Sequence, residues 1–303
     1  MPRRVCFLTS ADMMKDRPGA REDWIEFELE FGVLQRACAA EQITLEHRIW
    51  DTGFDPAGFD AFMIGTVWDY PPKLATFLDT LEALHAQAPV YNPPAVVRWN
   101  IEKRYLADLA EAGAPSIATV WADTADEASI QPAFHALDAE TLVVKPLVGG
   151  GAWRQAVVTR GEPLTAPQDL PPAACLIQPF LPSVPEEGEY SFVFFGGRFS
   201  HALQKLPKPG DYRVQSIFGA REIVHQPRPG ELDQCRAVLD AAAQITGEAD
   251  LLYARVDMVR GLDGRLALME LEIIEPYLYP QQGPDMGEVF VAALRDKLGS
   301  AAR

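Results

Sequence analysis

Apolar runs and helix-period stripes alternate through the first ninety residues of the chain. The run Val5-Cys6-Phe7-Leu8 predicts a strand, and apolar residues at spacings of three and four between Trp24 and Cys38 predict one face of a helix. The same alternation predicts further strands at 43–50, 61–64 and 89–91 and a second helix at 74–84. Strands that alternate with helices indicate a small parallel α/β domain, which ends at Asn92-Pro93-Pro94.

Beyond this point the predicted strands outnumber the helices. Strands are predicted at 116–121, 141–145, 155–159, 175–178, 190–195, 199–204, 252–259 and 265–274, and helices at 101–111, 127–136, 231–245 and 287–298. Because single cores rarely grow beyond roughly 250 residues, a chain of 303 residues should hold several domains. We predict an N-terminal parallel α/β domain at 1–97, a small central domain at 98–181 and a C-terminal antiparallel α+β domain at 182–303.

Composition narrows the classes of function. The net charge of −16 disfavours nucleic acid as a partner, because proteins bind phosphate backbones by neutralising them with Lys and Arg. No stretch approaches the roughly 20 apolar residues that cross a bilayer, so we expect no membrane span. The four cysteines lie far apart with no metal-ligand spacing, which predicts reduced core residues in a cytoplasmic protein.

The string from Val143 to Trp153 is the most informative one in the chain. A predicted strand ends at Lys145 and runs into Gly149, Gly150 and Gly151. The bare backbone of glycines lets N–H groups close around phosphate oxygens, while the ammonium of a lysine holds a phosphate as a point charge. The string therefore predicts a phosphate cradle, although a glycine-rich hairpin turn beside a solvated lysine explains it equally well.

Acidic residues recur on two predicted strands near the C-terminus. Period-two alternation places Glu270 and Glu272 on one face of their strand, and Arg255 and Asp257 on one face of the other. Carboxylates gather inside a fold when a hard cation compensates their charge, and Mg²⁺ bridging them to ATP phosphates would do so. An exposed acidic edge hairpin is the alternative, but the second strand is too apolar for an edge.

The strand predicted at 175–178 ends in Gln178-Pro179-Phe180. A strand that ends in proline cannot continue its hydrogen bonds to the neighbouring strand, so its backbone groups and neighbouring side chains are available to hydrogen-bond the edge of an adenine ring. A following acid such as Glu189 would then bind the ribose hydroxyls. Further along, phosphate contact and a charged loop at a strand end explain Lys205 and Lys208 equally well. The five histidines show no metal-ligand spacing and receive no role.

The order of these motifs resembles the ATP-grasp superfamily, in its glutathione synthetase-like branch, over roughly residues 92–280. The resemblance implies a three-domain ATP-grasp fold whose small central domain is a lid, with ATP between the last two domains. It implies that Lys103 and Lys145 bind the nucleotide and that residues 149–151 form the flexible cover over its phosphates. It also implies that residues 178–180 form the hinge that binds adenine and that Glu189 binds the ribose.

The same resemblance implies the metal and catalytic groups. Asp257 and Glu270 match metal-ligand positions, and the segment Asp211-Tyr212-Arg213 resembles the one that supplies an arginine to the acyl phosphate. Arg255 is expected to assist Arg213 there. The family usually closes its metal motif with Glu-x-Asn, whereas this chain has Glu270-Leu271-Glu272, so Glu272 adds a negative charge and becomes a further predicted ligand.

Two segments carry a narrower resemblance to the D-cycloserine-forming ATP-grasp enzymes, which close a linear ureido-amino acid into a ring, and to their relatives of unassigned substrate. They are Thr66-Val67-Trp68-Asp69-Tyr70 and the run from Glu272 to Tyr279. The resemblance implies substrate contacts from Trp68, Asp69, Tyr70, Glu275 and Tyr277. The alternative for the first segment is a strand end followed by an Asp-capped helix at Pro71.

These observations lead to one functional hypothesis. The chain is predicted to be an ADP-forming, ATP-dependent carboxylate–amine ligase that uses Mg²⁺ and an acyl phosphate, and that acts on a small amino acid or peptide-like acid. Ring closure of the D-cycloserine-forming type is one form of that reaction. A kinase of the same fold and a non-catalytic nucleotide sensor are the alternatives. We expect small-molecule carboxylate and amine substrates. The sequence leaves open whether the protein forms a homodimer.

Overall fold

The computed structural model describes residues 2–149, 153–164, 166–214 and 218–300. The first sheet is parallel, with strand order β2-β1-β3-β4. Its strands are β1 (Arg3–Thr9), β2 (Ile43–Ile49), β3 (Ala61–Ile64) and β4 (Val90–Tyr91), and its helices are α1 (Ile25–Ala40) and α2 (Leu74–His85). Strand β1 is buried from Val5 to Leu8 because it is central and covered on both faces, as its unbroken apolar run predicts.

The second sheet is small and antiparallel, with strand order β5-β8-β6-β7. Its strands are β5 (Val120–Ala122), β6 (Thr141–Pro146), β7 (Ala156–Thr159) and β8 (Cys175–Pro179). It is preceded by helices α3 (Pro94–Asn100) and α4 (Tyr105–Glu111), and helix α5 (Glu127–Ala136) packs against it. The side chain of Asp126 caps α5 by accepting the Ser129 N–H at 3.0 Å.

The third sheet is antiparallel, with strand order β11-β10-β9-β12-β13. Its strands are β9 (Glu189–Phe195), β10 (Arg198–Leu206), β11 (Arg221–Val224), β12 (Ala254–Arg260) and β13 (Leu266–Glu272), and its helices are α6 (Ser183–Glu187), α7 (Glu231–Thr246) and α8 (Met286–Ser300). Strand β9 is buried along its whole length because β10 and β12 flank it. In the described part of the chain, no helix has the length and apolar character needed to cross a membrane.

The first and third sheets share a hydrophobic core. One cluster joins β1 and α1 to Val193, Leu252 and Phe290 of the C-terminal part. The side chain of Asn92 reinforces the junction, because it donates to the carbonyls of Tyr253 (3.0 Å) and Ile273 (2.8 Å) and accepts the Leu252 N–H (2.8 Å). The second sheet has a cluster of its own between residues 120 and 177. The N- and C-terminal parts therefore share one core, whereas the second sheet has a cluster of its own and also contributes Leu176 to the cluster of the third sheet.

The predicted fold class is confirmed, and the deviations have local causes. The predicted helix at 101–111 begins only at Tyr105, and helix α3 was missed because Asn92-Pro93-Pro94 was interpreted as a terminator. Pro94 is instead the first residue of α3, where the missing N–H of proline has no cost. Strand β11 and helix α6 were also missed, since both are short. The domain boundaries after 97 and 181 fall between the three sheets and stay a prediction.

Candidate active site

A cleft that is partly open to solvent lies between the second and third sheets. The predicted site residues that line it are Lys103, Lys145, Gly149, Gln178, Pro179, Phe180, Glu189, Arg213 and Glu270. Gly150 and Gly151, the other two predicted glycines, lie outside the described residues. The structure thus brings together groups that are spread over 168 positions of the sequence.

Lys103 connects the glycine segment to the acidic strand. It precedes helix α4, and its Nζ donates to the carbonyl of Gly149 at 2.8 Å and to Oε1 of Glu270 at 2.7 Å. Its backbone N–H also donates to the carbonyl of Leu147 at 2.9 Å. Lys103 therefore links the end of strand β6 to strand β13 at the end of the cleft where the two lysines lie.

Lys145 is the penultimate residue of strand β6 and lies near the same carboxylate. Its Nζ lies 2.9 Å from Sδ of Met269, which is only a weak acceptor. Burial lowers the pKa of the Lys145 ammonium to about 8, with Glu270 opposing this shift and the like charge of Lys103 adding to it. The Lys145 ammonium is well placed to bind an anion, because an anion would give it the strong hydrogen-bond acceptor and the opposite charge that Met269 does not provide.

The opposite end of the cleft is more apolar. Strand β8 ends at Pro179 as predicted, and the N–H of Phe180 donates to the carbonyl of Thr141 at 2.9 Å. This N–H is therefore not available to a ligand, contrary to the expectation that the backbone groups at this strand end are unused. Gln178 is buried and donates to Thr119 Oγ1 at 3.0 Å, and the ring of Phe180 meets that of Tyr212 edge-on at 6.1 Å.

Arg213 lies in the wall of this cleft. Its guanidinium donates to both oxygens of Asp211, at 2.8 Å from Nη2 and 3.0 Å from Nε, and its Cζ lies 3.9 Å from the centre of the Phe218 ring. The side chain keeps 39% of its surface exposed. Arg213 is consequently held in orientation and still accessible from the cleft.

A network of buried charges lies behind the cleft, centred on Asp257. This carboxylate is 2% exposed and accepts hydrogen bonds from Arg255 Nε (3.0 Å) and Nη2 (2.9 Å) and from Ser191 Oγ (2.5 Å). Burial alone would raise the pKa of Asp257, but Arg255 and Lys205 hold it at about 2. Asp257 is therefore a permanently charged group of the interior.

Lys205, for which the sequence left phosphate contact and a charged loop open, belongs to this network of buried charges. Its side chain is buried, contacts the carboxylate of Glu189, and lies with its Nζ 3.4 Å from Asp257 Oδ2, whereas Lys208 is exposed. The charged-loop interpretation is therefore wrong for Lys205. The available signal was period-two alternation, because Leu203 and Lys205 share one face of β10 and Leu203 is apolar.

The predicted convergence of the acidic strands is confirmed by the strand register. Arg255 pairs with Glu272 and Asp257 pairs with Glu270 across β12 and β13. The extra charge of Glu272 is compensated inside the protein, because Arg255 Nη2 donates to its Oε1 at 2.5 Å. Burial raises the pKa of Glu272 to about 7 even though Arg255 opposes this, and Glu270 and Asp257 add to the rise.

The predicted metal ligands are close together but bound to cations. Glu270 pairs with Lys103, Glu272 with Arg255, and Asp257 with Arg255 and Lys205. Among the described residues, no three acidic, His or Cys side chains are arranged to hold a metal ion as they stand. All three groups are hard oxygen donors of the type that Mg²⁺ prefers. A metal ion at this place would have to displace at least one of the salt bridges.

The two segments expected to contact substrate meet across 207 residues of sequence. Trp68 Nε1 donates to the carbonyl of Glu275 at 2.9 Å, and the Trp68 ring meets that of Tyr277 edge-on at 6.4 Å. The hydroxyl of Tyr70 hydrogen-bonds the carboxylate of Glu275. Burial raises the pKa of Glu275 to about 8, and the charge of Glu272 adds to this shift. These side chains form one wall that continues into the acidic strand.

Asp69 differs from its neighbours in this segment. Its carboxylate accepts hydrogen bonds from Trp50 Nε1 at 2.6 Å and from Lys73 Nζ at 2.7 Å. It caps no helix, because the short 3₁₀ turn at Pro71–Lys73 follows Tyr70 without a side-chain cap, so the alternative of an Asp-capped helix is wrong. Asp69 is engaged within the N-terminal part, and its substrate contact stays a prediction.

Comparison with known proteins identifies the family. The family described as "D-cycloserine synthetase DcsG, N-terminal domain" matches residues 5–92. The cycloserine biosynthesis protein DcsG of Streptomyces lavendulae is 33% identical over 284 residues, which cover 88% of this chain and 92% of that protein. The chain belongs to the DcsG family of ATP-grasp ligases. The crystal structure of D-cycloserine synthetase DcsG superposes with a TM-score of 0.84 at 27% identity, over 97% of this chain and 99% of that one.

More distant matches agree with this DcsG-family assignment. Glutathione synthetase of Rhodopseudomonas palustris is 28% identical over 222 residues, which cover 69% of this chain and 63% of that protein. The D-alanine–D-alanine ligase of Bacillus anthracis, crystallised with ATP, shares the fold, with a TM-score of 0.67 at 14% identity over 98% and 97% of the two chains. The chain is therefore an ATP-dependent ligase that forms C–N bonds. This assignment decides against the kinase and the nucleotide sensor as alternatives.

Proposed function

We propose that this chain activates the carboxylate of a small amino acid as an acyl phosphate and joins it to a nitrogen of the same molecule, closing a ring of the cycloserine type. The observation that carries the proposal is the wall formed by Trp68, Tyr70, Glu275 and Tyr277, because it continues directly into the strand that bears Glu270 and Glu272. The relationship to DcsG supports the same reaction.

ATP is proposed to bind in the cleft between the second and third sheets. Lys103 and Lys145 would hold its phosphates, since both ammonium groups lie beside the glycine segment. Gln178, Pro179 and Phe180 would flank the adenine, and Glu189 would contact the ribose. When phosphate oxygens approach, Lys103 can exchange its bond to Glu270 for one to the nucleotide, which would free the Glu270 carboxylate.

The freed carboxylate belongs to the proposed Mg²⁺ site. Glu270 and Glu272 keep 29% and 28% of their side-chain surface exposed, so both are reachable, while Asp257 would complete the set from the interior. The ion would neutralise charge on the phosphates during transfer. Arg255 and Lys205 would keep Asp257 and Glu272 in place, because their bonds fix these carboxylates before any ligand binds.

The reaction needs two displacements. An oxygen of the substrate carboxylate attacks the γ-phosphorus of ATP, which forms the acyl phosphate and releases ADP. A nitrogen of the substrate then attacks the acyl carbon, the C–N bond forms, and inorganic phosphate leaves while the nitrogen loses a proton. We assign Arg213 to the acyl phosphate because it is accessible from the cleft. Arg255 is only 5% exposed, so we assign it a positioning role.

The amino group of the substrate is proposed to bind Glu275. Its carboxylate accepts a hydrogen bond from the Tyr70 hydroxyl, and Trp68 and Tyr277 would shield the site from water. Arg21 lies over the Trp68 ring, with its Cζ 5.3 Å from the ring centre, and adds a cation at the rim of the wall. This places the ammonium at one end of the substrate and the carboxylate towards the phosphates.

Product analysis tests the proposal. With a linear ureido-amino acid and Mg-ATP, we expect ADP and inorganic phosphate in equal amounts, no AMP, a cyclic product, and a hydroxamate when hydroxylamine is added. Glu270→Gln should abolish turnover, whereas Glu288→Gln, on the exposed face of α8, should leave it unchanged. AMP with pyrophosphate, or a stable phosphorylated product that hydroxylamine does not intercept, would exclude the acyl phosphate. Turnover only with a separate amine would exclude ring closure.

A further inference from the structure

The backbone of Leu278 is held from both sides by buried side chains that the reaction scheme does not use. Its N–H donates to Oε2 of Glu30 at 2.7 Å, and its carbonyl accepts from Nε2 of His201 at 3.0 Å. Glu30 lies on helix α1 of the N-terminal part, and His201 lies on strand β10 of the C-terminal sheet. The contact with Glu30 spans 248 residues of sequence.

The position of Glu30 is unfavourable for a carboxylate by itself. It is 1% exposed on the helix face that also carries Phe27, Phe31 and Leu34. Burying a carboxyl group in apolar surroundings costs free energy unless hydrogen bonds compensate, and burial raises the pKa of Glu30 to about 8. An apolar residue would suit this helix face better, so the hydrogen bond to Leu278 is the property that distinguishes Glu30.

His201 is fixed as firmly as Glu30. A carbonyl can only accept, so Nε2 carries the proton, and Nδ1 can then accept from the hydroxyl of Ser200 at 3.0 Å. Burial lowers the pKa of His201 to about 4, which keeps the ring neutral. Gly283 closes the space behind it, because a Cβ at that position would lie 2.3 Å from Nδ1.

The two residues on either side of Leu278 belong to the proposed substrate wall and to the charge network. The carbonyl of Tyr277 accepts from Arg255 Nη1 at 3.0 Å, and the ring of Tyr277 meets Trp68. Tyr279 has a φ of +49°, and its ring centre lies 5.4 Å from Arg255 Cζ and 5.8 Å from Lys205 Nζ. A left-handed conformation at a non-glycine residue persists only where the surroundings impose it. The bonds to Leu278 are part of that constraint.

We infer that Glu30 and His201 are positioning residues for substrate selection. Acting from two different parts of the fold, they clamp Leu278 and thereby set where Tyr277 faces Trp68 and where Tyr279 covers Arg255. This inference rests on the proposed function, because that proposal assigns the wall of Trp68, Tyr70, Glu275 and Tyr277 to the amino-acid substrate. Neither Glu30, His201 nor Leu278 lines the nucleotide cleft, so the clamp acts on binding of the amino acid and not on binding of ATP.

Paired variants of Glu30 test the clamp. Glu30→Met keeps the volume and removes the acceptor, whereas Glu30→Gln keeps a carbonyl oxygen for the Leu278 N–H. With a linear ureido-amino acid as the probe, Glu30→Met should raise the KM for the amino acid about tenfold or more, because small displacements of positioning groups are costly. The KM for ATP should stay within about twofold, and Glu30→Gln should resemble the wild type. His201→Phe should reproduce the Glu30→Met pattern.

Hydrogen exchange gives a reading that does not depend on the substrate. In wild type and Glu30→Gln, the amide of Leu278 should be protected, and in Glu30→Met it should exchange faster while the thermal shift with Mg-ADP persists. Failure of the ureido-amino acid to react in the wild type would count against the proposed function, and the exchange result would still decide on the clamp. Equal exchange in Glu30→Met and Glu30→Gln, or a parallel rise of both KM values, would overturn the inference.

Discussion

Replacing Lys205 by Met removes one cation from the buried charge network and keeps most of the side-chain volume. Lys205 Nζ lies 3.4 Å from Asp257 Oδ2, and charges at that separation attract by about 5 kcal/mol at an effective dielectric constant of about 20. Removing one partner of a buried pair costs about 3–5 kcal/mol. Because Arg255 stays in place beside Asp257, we expect the lower end of that range, about 3 kcal/mol.

Thermal unfolding of matched lysine variants measures this loss. A destabilisation of about 3 kcal/mol should lower the Tm by about 5 °C, because an unfolding entropy of about 2.1 cal/mol/K per residue gives about 0.6 kcal/mol/K for 303 residues. Lys208→Met is the matched control, since Lys208 is three positions away and exposed, and its Tm should change little. A Lys205→Met variant as stable as the wild type would refute the reasoning, because it would mean that Asp257 and Glu189 need no cation from strand β10.

Four further predictions concern the cleft and the buried carboxyl groups. Mg-ADP at a hundredfold excess over its Kd should stabilise the wild type by roughly 2.7 kcal/mol, and Lys145→Ala should abolish most of the resulting Tm shift. The pKa of Lys145 is about 8, so a bound nucleotide anion should raise it, and binding near pH 8 should take up protons in the wild type but not in Lys145→Arg. Calorimetry in two buffers of different ionisation enthalpy measures this uptake. Equal uptake in both proteins would contradict the assignment of Lys145. Glu272→Asn should keep far more turnover than Glu270→Gln in a phosphate-release assay, since Asn still offers Arg255 an acceptor. Glu30 binds its proton more tightly in the native state, because its pKa is raised from 4.5 to about 8, so its contribution to native stability should fall as pH rises from 4.5 to 8. The Tm of Glu30→Gln minus that of the wild type should therefore increase from pH 5 to pH 8.5. A constant difference would be inconsistent with a buried titrating group.

Local pattern was sufficient for much of the architecture and for part of the site. The helix predicted at 127–136 has those bounds in the structure, and the alternation along β12 and β13 correctly placed Arg255 on one face with Asp257 and Glu270 on one face with Glu272. These features follow from the two- and 3.6-residue periods, which depend only on residues a few positions apart. The phosphate site indicated by the glycine string after Lys145 stays a prediction.

Contacts between distant segments were decided by the tertiary structure. Sequence pattern could not show that Lys205 lies between Glu189 and Asp257, or that Asp69 is engaged by Trp50 and Lys73. Whether a lysine is solvated or buried depends on which strands flank its own, and that is settled only when the sheets have packed.

The sequence by itself therefore determined the class of fold, the family and the types of chemical group at the site. The tertiary structure decided which of those groups are paired, buried or reachable, and it alone revealed the bond between Glu30 and Leu278 across 248 residues. The physical reason is the range of the forces involved. Periodicity and turn chemistry act between neighbours in the chain, whereas charge compensation and burial depend on neighbours in space.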